Sequence, residues 1–260
     1  MVVSNLLDSV VFRVGLLAAL RSQCFNGKTI GVMITASHNV PEDNGLKLVD
    51  PMVRFLSFHP LTSLLLLTAW VGHQGEMLEA SWEEYATMLA NAPSHEQLLA
   101  EYETLASRLK INPSTMPAVV FARDTRESGP GLVRALTDAL NATGAAFHDH
   151  GLLTTPQLHF LVRCINTAGT EHAYGEPSEE GYYGKLADAY RRLMQGVPSI
   201  GPVTVDCANG VGAPKLRRLA AAIGTDLFRC TVVNDAVDQP SKLNFQVGAF
   251  RWDGMGWVVC

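Results

Sequence analysis

The sequence predicts an α/β fold in which helices flank mixed sheets. Short apolar, β-branched runs alternate with stretches whose apolar residues recur at helical spacing. Polar, turn-rich loops follow several of the apolar runs, as loops do at the carboxyl ends of strands in α/β proteins. The chain has 260 residues, of which 47% are hydrophobic and 17% are charged. It is therefore long and apolar enough to bury a core.

The predicted elements form two α/β units. Helical spacing predicts helices over residues 6–20, 79–92, 94–109, 132–140, 179–194 and 215–223. Short apolar runs predict strands over residues 29–34, 118–122, 145–148, 202–206 and 227–233. The run 29–34 is uniformly apolar, which suits a strand buried on both faces. Residues 175–178 read as a linker that also caps the next helix, so the second unit begins near residue 177.

Local signals place the ends of two helices. Ser81 or Ser94 is suited to cap the helix that follows it, since a serine hydroxyl accepts from the exposed backbone N–H groups of the first turn. Residues 151–156 read as a loop, and Pro156 is positioned to start a further helix.

Charge and cysteine content limit the possible partners. The net charge is −5, and no basic block is present that would attract nucleic acid. The cysteines are odd in number and lack CxxC spacing, which argues against a disulfide framework or a zinc site; they are residues 24, 164, 207, 230 and 260. This pattern fits a reducing compartment, and the N-terminus shows no signal peptide, so we expect a cytoplasmic protein.

A lone serine is the strongest candidate for chemistry. Residues 35–50 read TASHNVPEDNGLKLVD and follow the first predicted strand directly. A serine hydroxyl needs nearby hydrogen-bonding and proton-transfer groups before it can act on phosphate. His38 and Asn39 supply hydrogen bonds, and the turn at Asn44 can bring Lys47 back toward Ser37. Alternatively, Ser37 only caps a turn and Lys47 is a surface lysine on a strand edge.

The serine run resembles the phosphoserine signature of the α-D-phosphohexomutases. The matching residues are Thr35, Ala36, Ser37, His38, Asn39, Asn44, Gly45 and Lys47. The resemblance implies that Ser37 is the phosphoserine and binds Mg2+ through its phosphate. It also implies that Lys47 takes part in proton transfer and that His38 and Asn39 shape the site. In the family a proline directly follows this asparagine, whereas here Val40 lies between Asn39 and Pro41. We expect this one-residue shift to alter the path of the loop only slightly.

Further stretches resemble the branch of this family that acts on N-acetylglucosamine phosphates. The turn Arg123-Asp124-Thr125-Arg126 follows the serine loop, an order typical of that branch. Residues 151–159, 181–186 and 205–213 are similar to the same branch. The implied reaction interconverts N-acetylglucosamine 6-phosphate and 1-phosphate through a bisphosphate, toward UDP-N-acetylglucosamine. For Arg123, Asp124 and Arg126, a salt-bridged turn that braces the serine loop is favoured over direct contact with substrate.

The chain also departs from the family. The resemblance implies a nearly complete first domain over residues 1–176, part of a second domain over 177–260, and an insert over 53–74. We expect the insert to be unstructured or weakly helical. The aspartate-rich metal loop Asp-Gly-Asp-x-Asp-Arg does not occur in the sequence, so only the Ser37 phosphate remains of four metal ligands. We therefore expect this chain to be impaired or inactive.

A function from another class remains open. The apolar core of the insert, residues 55–72, is about as long as the shortest membrane spans, so the chain is alternatively a membrane-tethered or partner-binding module. His59, Pro60 and several hydroxyl groups in that segment argue against a membrane anchor.

Overall fold

The computed structural model describes residues 4–51, 55–58, 80–197, 201–245 and 258–259. Its helices are α1 Ser4–Cys24, α2 Ala80–Asn91, α3 His95–Arg108, α4 Gly129–Ala142, α5 Thr155–Thr167, α6 Glu179–Leu193 and α7 Gly212–Ile223. Its strands are β1 Ile30–Ile34, β2 Leu46–Val49, β3 Phe55–Phe58, β4 Ala118–Arg123, β5 Ala146–Leu152, β6 Val203–Asp206, β7 Cys230–Val233 and β8 Val258–Val259. The predicted α/β class is confirmed.

The first sheet has five strands in the order β3-β2-β1-β4-β5. Strand β1 pairs in parallel with β4, and β4 with β5, whereas β2 and β3 run antiparallel to their neighbours. The sheet is therefore mixed. Strand β3, residues 55–58, pairs antiparallel with β2. The prediction of an unstructured or weakly helical insert is therefore wrong for these four residues. The remaining residues of the predicted insert lie outside the described part of the chain.

Helices cover both faces of this sheet. Alternate β1 residues Ile30, Val32 and Ile34 belong to the hydrophobic cluster that includes α1 and α4. Met33, between them, packs instead in the cluster built on α5. Every residue of β1 is buried, as the uniformly apolar run predicted. Because both faces of β1 are packed against helices, the strand is held in place, and so is the point at which the Ser37 loop begins.

The second sheet is smaller and consists of β6 between β7 and β8, all parallel. It shares no strand with the first sheet among the described residues. Helix α6 contacts both α5 and α7 and so lies between the two units. Gln157 of α5 donates to the hydroxyl of Tyr183 of α6 at 3.1 Å, which ties the units together beside the first sheet.

Local differences from the predicted elements have identifiable causes. The strand predicted over 227–233 begins only at Cys230, because the backbone N–H groups of Leu227 and Phe228 bond back to the Gly224 carbonyl at 3.2 and 2.9 Å in a turn. Strand β5 continues through Leu152, where a loop was predicted, across a register shift in its pairing with β4. Two predicted caps are confirmed: Ser94 accepts from Gln97 N, and Ser178 accepts from Gly181 N. The prediction of Ser81 as a cap is wrong, because α2 already begins at Ala80 and Ser81 lies inside it.

Among the described residues, every helix is too short or too polar to cross a membrane.

Candidate active site around Ser37

The serine loop lies at the carboxyl end of β1. The backbone N–H of Thr35 donates to Gly45 O at 2.9 Å, which closes the loop against the start of β2. Ser37 is exposed and has a φ of 55°, the left-handed region that non-glycine residues enter at a cost. Its backbone N–H donates to Thr35 Oγ1 at 3.0 Å. The loop thus presents the Ser37 hydroxyl outward from a strained, hydrogen-bonded turn.

Lys47 reaches the serine from the neighbouring strand. It lies in β2 opposite Met33 of β1, and its Nζ donates to Ser37 Oγ at 2.8 Å. Burial lowers the pKa of Lys47, and the nearby carboxylate of Asp124 opposes that shift. Strand β2 lies between β1 and β3, so Lys47 does not lie on a sheet edge. A lysine with a lowered pKa is suited to take a proton from an oxygen and return it.

The turn after β4 lies beneath the loop. Thr35 Oγ1 donates to Asp124 Oδ2 at 2.6 Å, and the other Asp124 oxygen accepts from Arg126 N at 3.0 Å. The guanidinium of Arg126 donates to three carbonyls of the loop: Val40 O at 2.8 Å, Ser37 O at 2.9 Å and Asn39 O at 3.2 Å. Arg126 is only 1% exposed, so it braces the loop from inside and does not face solvent. Arg123 instead donates to Asp124 O at 3.1 Å.

The remaining loop residues have different roles. Asn44 is buried, donates to Ser128 Oγ at 2.9 Å and accepts from Gly45 N at 2.8 Å, which fixes the turn before Lys47. Asn39 Nδ2 donates to Asp43 Oδ2 at 3.1 Å within the loop. His38 is exposed beside Ser37. The structure therefore assembles Ser37 and Lys47 at the surface and holds them from below through Asn44 and the arginine turn.

Sequence reasoning gave no role to two residues near this site. His159 of α5 has a pKa lowered to about 4 by burial and, to a lesser extent, by the charge of Lys47. Asn244, in the second unit, donates from Nδ2 to Ser37 O and to Asn39 O, each at 2.7 Å. No local sequence signal links Asn244 to a loop that lies 207 positions away.

The described residues do not fit a resident metal ion. Among them, no group of three or more His, Cys, Asp or Glu side chains is arranged to hold one. A phosphate on Ser37 would supply oxygen ligands, but Mg2+ is usually held by one or two carboxylates together with phosphate and water. The described part of the chain presents only the serine side of such a site.

Comparison with known proteins places the chain in a family. The phosphoglucomutase/phosphomannomutase α/β/α domain I family matches residues 10–54 and 96–172. The phosphoacetylglucosamine mutase of Candida albicans is 42% identical over 256 residues, which cover 94% of this chain and 42% of the relative. The human phosphoacetylglucosamine mutase is 42% identical over 251 residues, covering 94% of this chain and 40% of the relative. The chain thus spans about two-fifths of the length of these relatives.

Solved structures agree with these relatives. The N-acetylphosphoglucosamine mutase of Aspergillus fumigatus in complex with GlcNAc-6P and magnesium superposes with a TM-score of 0.79 at 51% identity, covering 93% of this chain and 41% of that one. A complex of a serine-to-alanine variant of that enzyme with glucose 1,6-bisphosphate gives a TM-score of 0.81 at 50% identity, with the same coverage. The comparisons do not support a membrane-tethered or partner-binding module. The chain belongs to the α-D-phosphohexomutase superfamily, where its relatives are phosphoacetylglucosamine mutases.

Proposed function

We propose that Ser37 is the phosphoserine of a phosphoacetylglucosamine mutase, which interconverts N-acetylglucosamine 6-phosphate and 1-phosphate in UDP-N-acetylglucosamine biosynthesis. The observation that carries the proposal is the 2.8 Å contact between Lys47 Nζ and Ser37 Oγ at the carboxyl end of β1. The similarity to phosphoacetylglucosamine mutases along the chain supports the choice of substrate class. The phosphorylated amino sugar is the partner, and cytoplasm is the compartment that the odd number of cysteines without CxxC spacing favours.

The proposed exchange proceeds in two balanced transfers. In the first, a sugar hydroxyl oxygen bonds to the phosphorus as the bond between phosphorus and Ser37 Oγ breaks, and Lys47 is placed to take the proton from that hydroxyl and pass it to the leaving Ser37 Oγ. In the second, Ser37 Oγ bonds to the phosphorus of the other phosphate of the bisphosphate, the bond from that phosphorus to the sugar oxygen breaks, and the Ser37 hydroxyl proton moves to that sugar oxygen. Arg126 and Asp124 contribute by holding the loop backbone, since their contacts are to Val40 O, Ser37 O, Asn39 O and Thr35 Oγ1.

We also propose that a protein of these 260 residues is impaired as a mutase. Phosphoryl transfer depends mainly on positioning and on neutralising charge, tasks usually performed by metal ions and by groups that cradle the substrate phosphate. The described residues provide the serine, its lysine and the loop that holds them. Within the described part of the chain, a phosphate on Ser37 is the group that would hold Mg2+, which would help to neutralise the charge of the transferred phosphoryl group.

Phosphoryl acceptance tests the assignment of Ser37. The protein is incubated with Mg2+ and glucose 1,6-bisphosphate and analysed by intact and peptide mass spectrometry. We expect one phosphoryl group, located on Ser37 and lost in Ser37→Ala. A phosphoryl group located on another residue, or a Ser37→Ala protein that accepts one equally well, would show that Ser37 is not the acceptor. Steady mutase turnover by the 260-residue protein would contradict the proposed impairment.

The proposed domain organisation rests on the same family match. We infer a first domain over residues 1–176 interrupted by an insert over 53–74, and part of a second domain over 177–260. The family match stops at residue 54, near the proposed start of the insert, and ends at 172, near the proposed end of the first domain, although it resumes only at residue 96. Deleting 53–74 removes β3, an edge strand, but leaves the pairing of β2 with β1 intact. We expect the deletion protein to unfold at the same or a higher temperature; loss of cooperative unfolding would show that the segment belongs to the domain.

A further inference from the structure

Asn244 carries a contact from the second unit to the centre of the serine loop. Its Nδ2 donates to Ser37 O and to Asn39 O, each at 2.7 Å. The primary amide of asparagine has two N–H donors, so one group can serve both carbonyls at once. These bonds join the second unit to the backbone of the residue proposed to carry phosphate.

The two carbonyls receive donors from both units. Arg126 Nη2, in the first unit, lies 2.9 Å from Ser37 O and 3.2 Å from Asn39 O, the same pair that Asn244 contacts. A carbonyl oxygen accepts at most two strong hydrogen bonds, so each oxygen is saturated by one donor from each unit. This sharing holds the backbone on both sides of His38.

Asn244 is itself held firmly by the second unit. Its backbone N–H donates to Ala208 O at 2.9 Å, in the turn directly after β6. Asn209 reinforces that turn, because its Nδ2 donates to Lys242 O at 3.1 Å and its Oδ1 accepts from Ala236 N at 3.1 Å. Leu243, which precedes Asn244, is 4% exposed. The side chain of Asn244 therefore extends from a braced turn.

The backbone of Ser37 needs such support. At a φ of 55° it occupies the left-handed region, which is strained for a residue with a side chain. The Ser37 carbonyl sets the orientation of the peptide plane after the residue, and so helps to fix where Oγ points relative to Lys47. A donor that secures this carbonyl from the second unit makes the geometry of Ser37 depend on how the two units are placed.

We propose that Asn244 is a positioning residue that locks the serine loop from the second unit and keeps Ser37 Oγ in contact with Lys47. This role rests on the proposed function of Ser37 as phosphoryl acceptor. The Asn244 side chain touches only backbone oxygens of the loop in the described structure, so it acts through Ser37 and not on the sugar.

Asn244→Gly and Asn244→Asp separate this role from a general effect on folding. Asn244 has a φ of 56°, which glycine adopts freely, so Asn244→Gly removes the amide while keeping the backbone. Asn244→Asp keeps the size but replaces the donor with an oxygen facing two carbonyls. Asn234→Gly is the matched control, since Asn234 lies in the second unit at a φ of 50° and its side chain donates to Asp206.

Two readouts decide the proposal. Hydrogen exchange of a peptide covering residues 35–45 should quicken about fivefold in Asn244→Gly, the equivalent of about one lost hydrogen bond, and at least as much in Asn244→Asp. Phosphoryl acceptance by Ser37 should slow by a similar factor or more, while Asn234→Gly resembles wild type in both. Exchange over 212–223 should stay unchanged in the Asn244 variants.

The outcomes distinguish this proposal from the proposed function. If wild-type protein accepts no phosphoryl group, or accepts it on a residue other than Ser37, the exchange measurement alone decides whether Asn244 locks the loop. If wild type accepts phosphate and Asn244→Gly matches it in acceptance and in exchange over 35–45, the positioning role is overturned. Equal loosening in Asn234→Gly would overturn it as well, because the effect would then belong to the second unit as a whole.

Discussion

Lys47 Nζ lies 2.8 Å from Ser37 Oγ, although ten positions separate the two residues along the chain. The antiparallel pairing of β1 with β2 places Lys47 opposite Met33, and the intervening loop folds back over the end of both strands. The hydroxyl and the amine are thus brought together by strand register, with the Asn44 turn setting the return path. Disturbing either residue should affect phosphoryl exchange before it affects the fold.

Replacing Lys47 should slow phosphoryl acceptance by Ser37. Lys47→Met removes the proton-transfer group, and we expect a loss of about 10²- to 10⁴-fold in the rate, measured by quenched-flow mass spectrometry. Burial lowers the pKa of Lys47, so the wild-type rate should rise with pH and level off below the ordinary lysine value of 10.5.

Lys28→Met is the control for this experiment, because Lys28 is exposed and lies outside the loop. A Lys47→Met protein that accepts phosphate at the wild-type rate would remove Lys47 from the mechanism.

His159 should make the protein sensitive to acid. Its pKa is lowered to about 4 from 6.5, first by burial and then by the charge of Lys47. The unfolded chain takes up a proton on this histidine below pH 6.5, whereas the folded protein resists until about pH 4. Stability from this group is therefore complete above pH 6.5 and is lost as pH falls toward 4, by roughly 2–3 kcal/mol.

Urea unfolding between pH 7 and pH 4 tests this effect. His159→Gln should flatten the decline, whereas replacement of the exposed His172 by glutamine should leave it as in wild type. If the free energy of unfolding of His159→Gln falls between pH 7 and pH 4 as it does in wild type, other groups control the loss of stability in acid.

Removing the guanidinium of Arg126 should destabilise the protein and loosen the loop. Arg126→Met deprives Val40 O, Ser37 O and Asn39 O of a buried donor and leaves Asp124 without its nearest positive charge, at 3.1 Å. We expect a loss of about 3–5 kcal/mol in the free energy of unfolding, since a buried charge loses its partner.

Arg134→Met in α4 provides a comparison at an exposed arginine and should unfold like wild type. Chemical denaturation followed by circular dichroism measures both variants. A small effect in Arg126→Met would indicate that water replaces the guanidinium at these carbonyls.

Breaking the buried pair between Arg21 and Asp50 should destabilise the contact of α1 with the end of β2. Arg21 contacts both Asp50 oxygens, at 2.5 and 2.6 Å, and lies 4.6 Å over the ring of Trp82. Both charged side chains are almost fully buried, at 3% and 4% exposure. Asp50→Leu alone should cost about 3–5 kcal/mol, while the double variant Arg21→Met with Asp50→Leu should recover most of that loss.

A thermal unfolding series of the two single variants and the double variant measures the coupling. Glu84→Gln, in the exposed pair of Glu84 with Arg108, supplies a control in which we expect little change. Additive effects at Arg21 and Asp50 would mean that the two charges are solvated independently.

The α/β class and most of the elements follow from the sequence, because the strand-like and helix-like runs are long and strongly patterned. The caps at Ser94 and Ser178 were also predictable, since capping depends on neighbouring residues only. The start of the strand at Cys230 was not, because the turn at Gly224 competes for the backbone donors of Leu227 and Phe228. The pairing of residues 55–58 with β2 likewise depends on a partner strand that local pattern does not reveal.

The sequence by itself determined the family resemblance and the identity of Ser37 and Lys47 as candidates, because both lie in one contiguous run whose residue types suit phosphoryl chemistry. Only the tertiary structure decided that the amine of Lys47 meets the serine, that Arg126 lies beneath the loop, and that Asn244 reaches it from the second unit. Strand register, burial and contacts between units depend on residues far apart in the chain. Those long-range contacts fix the backbone of Ser37.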